Sequence, residues 1–78
     1  MKEETFQRSL RAFTQRRPFK PFVVELVSGA RLTVDHPEAL AHRGRAAMHI
    51  DREGNFTLFD NEGVSQLADI KGNGSRRS

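Results

Sequence analysis

Apolar residues repeat with a helical period at the start of the chain and with a period of two further along. Phe6, Leu10 and Phe13 fall at i, i+4 and i+7. They form one stripe of an amphipathic helix expected over residues 3–16. Glu4, Arg8, Arg11 and Gln15 lie on the opposite face, with Glu4 and Arg8 in the favourable i, i+4 order. Glu3 and Glu4 suit the positive end of the helix dipole; Arg16 and Arg17 suit the negative end. Pro18 disfavours helical geometry at Arg17, so the helix should stop there.

Beyond the extended Phe19-Lys20-Pro21 link, Phe22 to Val27 alternates as a strand, with Phe22, Val24 and Leu26 on one face. Ser28-Gly29 is a turn signal, and Arg31 to Asp35 is a second strand with Leu32 and Val34 inward. A two-residue loop would set Leu32 opposite Glu25, on the wrong face. Pairing Leu26 with Leu32 and Val24 with Val34 keeps the faces and needs a three-residue loop or a bulge at Gly29. Asp35-His36-Pro37-Glu38 resembles a helix start, with Asp35 or His36 as cap. One or two helical turns, or a structured loop, are expected over 37–42, ending at Gly44. Ala47 to Asp51 and Asn55 to Asp60 form the next hairpin, with Met48 and Ile50 inward. Arg52-Glu53-Gly54 is a three-residue loop that aligns Ile50 with Phe56 and Met48 with Leu58. Asn61-Glu62-Gly63 is a turn, followed by a tight turn and a short strand over 67–70.

The expected fold class is therefore α+β: an N-terminal amphipathic helix followed by a four- to five-stranded antiparallel meander or small barrel. Leu26, Leu32, Met48, Ile50 and Leu58 should share one core with Phe6, Leu10 and Phe13. All six Phe fit core or linker positions, so base stacking is not indicated.

A chain of 78 residues with 36 % hydrophobic positions makes one domain, placed at residues 1–71, with a thin core. A domain near this size buries only about 60 % of its unfolded surface, which favours self-association. The stretch 72–78 reads as a disordered basic tail. No cysteine is present, which excludes disulfides and thiolate metal sites and favours the cytoplasm. No secretion signal or membrane-length apolar run is seen.

Charge is segregated. The net charge of +3 resolves into an excess of positive groups in residues 1–20 and in the tail, around an acidic body. Any polyanion contact should therefore involve Arg8, Arg11, Gln15, Arg16, Arg17 and Lys20, with Arg76 and Arg77 of the tail. His36, His42 and His49, with Asp35 and Glu38 nearby, lack the tight spacing of a zinc pair; no metal and no cofactor are expected. The serines sit in no nucleophile elbow, the glycines are single turn residues, and Asp51/Glu53 and Asp60/Glu62 flank turns, so no catalytic residue is assigned. Pro18-Phe19-Lys20-Pro21 matches a short proline-rich ligand pattern, but reads better as a stiff link anchored by Phe19 and Phe22.

Two resemblances accompany these readings. Arg17-Pro18-Phe19-Lys20-Pro21-Phe22, Leu26-x-x-Gly29-x-x-Leu32 and His36-Pro37-Glu38 resemble a family of short uncharacterised bacterial proteins with an R/Q-P-F-x-P-F … H-P-E pattern, covering most of residues 6–70. That resemblance implies no function. The order of helix, then Val24 to Leu32, then a meander ending near Ala68-Asp69-Ile70, is similar to the Sm-like small β-barrels. It implies ring assembly and RNA binding, although Pro37 and the insert through Gly44 interrupt the long second strand of those proteins. The expected function is a small non-catalytic binding or adaptor module acting on a protein partner or on itself. The alternative is an Sm-like RNA-binding protein that uses the basic helix and tail.

Overall fold

The structure, a computed structural model, describes residues 1–70. Helix α1 (Glu3–Thr14) precedes six strands: β1 (Phe22–Leu26), β2 (Arg31–Val34), β3 (Leu40–Arg43), β4 (Ala46–Ile50), β5 (Phe56–Asp60) and β6 (Val64–Asp69). Short 3-10 turns occupy Pro37–Ala39 and Asn61–Gly63. The strands make two antiparallel three-stranded sheets, ordered β2-β1-β6 and β3-β4-β5. The α+β architecture is as the residue periods imply, with one strand more than expected. The basic tail expected over 72–78, including Arg76 and Arg77, lies outside the described residues.

The helix ends two residues earlier than expected, with Gln15 at its C-cap. Phe6 and Leu10 are buried and Phe13 is half-buried, its ring 4.9 Å from that of Phe22. Phe19 also meets Phe22 edge to face, with ring centroids 6.1 Å apart, so the proline-flanked link is anchored by aromatic packing.

Three glycines set the hairpins. Val27-Ser28-Gly29 and Arg52-Glu53-Gly54 are loops of one kind. In each, a glycine with φ of 97° or 89° follows two turn residues, and its N–H bonds back to Leu26 or Asp51. The first loop begins one residue earlier than the apolar pattern suggests. Val24 therefore faces Leu32 and Phe22 faces Val34, a shift of two residues that preserves the inward face. The second loop gives the expected pairs Met48–Leu58 and Ile50–Phe56. Gly44, with φ of 60°, does not end a helix. It opens the two-residue turn between β3 and β4, where the first position needs positive φ.

Residues 40–43 are thus a strand rather than helical turns. Leu40 and His42 alternate with Ala41 and Arg43, and pairing with β4 satisfies their backbone. The expected side-chain cap before Pro37 is absent. His36 occupies the cap position without a capping bond, and Asp35 turns to Arg52 instead. The last strand begins at Val64, not at residue 67, because an irregularity between Glu25 and Leu26 extends its ladder with β1.

Phe6, Leu10, Phe22, Val24, Val34 and Val64 fill the centre of the core, joined by Ala39, Leu40 and Ala47. This corrects the expected core at β4 and β5. Ala47 and His49 face inward; Met48 and Ile50 face outward, and register carries Phe56 and Leu58 out with them. On the inner side Phe59 meets Phe6 edge-on, with ring centroids 6.3 Å apart. Small Ala47 belongs to the same buried cluster as Phe6 and Leu10, and His49 finds a hydrogen-bond partner. Leu26 and Leu32 only border the core.

This arrangement separates two classes of substitution. Phe22→Ala should cost about 3–5 kcal/mol and leave the domain largely unfolded, whereas Met48→Ala and Leu58→Ala should each cost under about 1 kcal/mol. Chemical denaturation followed by far-ultraviolet circular dichroism checks the contrast. Equal losses at positions 22 and 48 would contradict the observed face of β4.

Candidate functional site

The basic residues of the first segment divide into two groups. Arg8, Arg11, Gln15, Arg17 and Lys20 are exposed. None of those four cations forms an ion pair among the described residues. Arg16 is committed to the fold. Its Nη1 donates to Asp69 at 2.6 Å, its Nη2 donates to the Lys20 carbonyl at 2.8 Å, and its guanidinium lies 4.7 Å from the Phe13 ring centre. The planar fork thus ties the end of α1 to the link and to β6. The helix face keeps Arg8, Arg11 and Gln15 together, while Arg16 serves as a strut.

The histidines do not converge. His36 is exposed, 3.7 Å from the Asp35 carboxylate. His49 is buried, and its Nε2 lies 2.8 Å from the Thr33 carbonyl oxygen. A carbonyl only accepts, so Nε2 carries the proton. His42 is half-buried on the inner side of β3. Burial, and secondly the positive charge of Arg11, push its pKa below the ordinary 6.5. Among the described residues no group of three or more His, Cys, Asp or Glu side chains could hold a metal.

A cleft of about 380 Å³ lies between β2 and the β4–β5 hairpin, with Arg31, Thr33, Asp35, His49, Asp51 and Arg52 on its walls. Most of its polar groups already have partners. Arg52 donates to Asp35 through Nε at 2.8 Å and approaches it through Nη2 at 2.7 Å. That hydrogen bond holds the Asp35 carboxyl below its ordinary range. Asp51 accepts from the backbone N–H groups of Asn55 and Glu53, which lower its pKa likewise. Within the cleft Arg52 neutralises Asp35, while Asp51 is occupied by the backbone of its own hairpin loop and Arg31 pairs with Glu25 outside it.

The outer faces of the two sheets differ sharply. On the first, Glu25 stands between Arg31, at 3.4 Å, and Gln66, whose Nε2 donates to it at 2.8 Å. The second presents Ala41, Met48, Ile50, Phe56 and Leu58. Ile50 is 37 % exposed, Phe56 63 % and Leu58 73 %. Val27, 68 % exposed, shares a groove with Leu58. Isolated exposed apolar residues are ordinary, but a contiguous cross-strand set of this kind marks a contact surface.

Sequence reasoning missed this face because it placed Met48, Ile50 and Leu58 in the core and gave every Phe a buried or linking role. The signal lay in β5. Phe56 and Leu58 alternate with Thr57 and Phe59, so both of its faces carry an apolar residue and one had to remain outside. No helix among the described residues is long and apolar enough to cross a membrane. No family model, curated protein or solved structure matches the chain.

The His42 environment has a measurable consequence. Its folded pKa is depressed, so its neutral form contributes fully above the unfolded value of 6.5. Stability falls as pH drops through that value, because the unfolded state takes up the proton first. Wild type should lose more stability between about pH 7.5 and about pH 5.5 than His42→Gln does, read as thermal midpoints. Parallel curves would show that His42 does not titrate differently on folding.

Proposed function

We infer that the protein is a non-catalytic binding module acting through protein contacts, with the outer face of the second sheet as its working surface. The supporting observation is the exposed row of Ile50, Phe56 and Leu58 beside Met48, set against a first sheet whose outer face is laced with Arg31, Glu25 and Gln66. Burying such residues against a partner gains roughly 25 cal/mol per Å² of apolar surface. Leaving them in water serves no purpose in the fold, because their inward neighbours Ala47, His49 and Phe59 already pack against the core. A cytoplasmic setting agrees with the absence of cysteine.

The double variant Phe56→Ser/Leu58→Ser should keep its thermal midpoint within a few degrees of wild type at about 0.1 µM protein, where mass action disfavours association. It should also lose most of its binding of an environment-sensitive naphthalenesulfonate dye. A collapsed midpoint would assign the two residues to the fold and remove the surface.

A second reading rests on Arg8 and Arg11, exposed and without ion-pair partners among the described residues. If the helix face binds an RNA backbone, Arg8→Ala/Arg11→Ala should lower the salt slope of binding by about two, with stability nearly unchanged. Wild type failing to bind RNA at about 50 mM salt would dismiss that reading.

A further inference from the structure

We propose that the apolar face of β3-β4-β5 is covered by a second copy of the same chain, stacked sheet on sheet about a two-fold axis running nearly along β4. This rests on the reading of that face as the contact surface and names its occupant.

The ladder register arranges the outward residues in rows. Arg43, Ala46 and Asp60 form one row; Ala41, Met48 and Leu58 form the next; Ile50 and Phe56 lie beyond. The charges stand at opposite edges of a single row, on β3 and β5. A two-fold axis in the interface, directed along β4, keeps every row in place and exchanges the edges. Arg43 then comes over Asp60 of the second copy, and the reverse pair forms at the other edge. In the middle row Ala41, the smallest residue, comes over Leu58, which is 73 % exposed, so small meets large as interdigitating sheets require. Met48 meets its own counterpart at the axis. The size order and the charge order are thus satisfied by one operation.

The competing in-plane axis, across the strands, reverses the rows. It would set Arg43 and Asp60 toward the Ile50–Phe56 end of the other copy, burying unpaired charges against apolar side chains. Charge therefore selects the axis along β4, an isologous and closed arrangement that stops at two copies. Asp60 uses Oδ1 to accept from the N–H groups of Glu62 and Gly63, and Oδ2 makes no hydrogen bond among the described residues. Five-residue strands give a face about 17 Å long and three strands wide. That extent places the interface at the low end of the size range, below about 1,200 Å² in total, so a dimer of micromolar strength is expected.

Sedimentation equilibrium of the full chain over a wide concentration range tests the proposal. Wild type should shift from monomer to dimer with a micromolar midpoint, and Leu58→Asp should remain monomeric. Arg43→Asp should weaken the dimer about tenfold or more, by facing Asp60 of the other copy. Adding Asp60→Asn should recover most of that loss, since Asn keeps the turn cap while removing the repulsion. A wild type that stays monomeric throughout overturns the second copy as occupant. The face itself is then judged separately by the dye and midpoint of the Phe56→Ser/Leu58→Ser variant. A dimer indifferent to Leu58→Asp, or an Arg43→Asp defect that Asp60→Asn does not relieve, also overturns the proposed stacking.

Discussion

The hydrogen bond from the His49 imidazole to the Thr33 carbonyl joins β4 to β2, strands of two sheets that share no ladder. Its geometry fixes the parity of β4. With His49 inward, Ala47 is inward too, and Met48 and Ile50 must face out. Because β5 is locked to β4 in register, Phe56 and Leu58 follow. One polar contact thereby governs which side of a whole sheet is apolar and free. Removing the imidazole while keeping the fold would leave the Thr33 carbonyl in search of a donor, the costlier half of a broken hydrogen bond.

Much of the architecture could be read from the chain because local rules agreed with the global fold. Phe6 and Leu10 recur at the helical period with nothing to contradict them. Gly29 and Gly54 sit where three-residue loops need positive φ. The face of β4 could not be read in this way. Hydrophobicity favoured Met48 and Ile50 inside, yet small Ala47 pairs with Phe59 at the core, and His49 is satisfied by the Thr33 carbonyl. That choice depends on volume and on a partner carbonyl sixteen residues away, neither of which appears in a local window. The strand at 40–43 was hidden for a related reason. Pro37 and Glu38 do open a turn, but only tertiary pairing with β4 decides that it lasts three residues.

The candidate surfaces were legible to different degrees. Arg8 and Arg11 are exposed and form no ion pair among the described residues, while their neighbour Arg16, indistinguishable from them in composition, is bound to Asp69, Lys20 and Phe13. The difference lies in position: Arg16 follows the last helical turn, where the chain bends back across an aromatic cluster. An exposed guanidinium and a structural one carry the same charge, and only the surroundings separate them.

The strand order of the first sheet bears on how the chain reaches its native state. β2 joins β1 through a three-residue loop, but β6 joins β1 across roughly forty residues, so closing that pair costs on the order of 2 kcal/mol more loop entropy. The β3–β4 and β4–β5 hairpins are local and should form early. The central strand β1 then waits with one edge open until the last strand of the described chain arrives. During synthesis on the ribosome, Phe22 and Val24 cannot complete their cover until residues 64–69 have emerged. For that interval the exposed edge of β1 is the point at which the nascent chain is open to pairing with another strand.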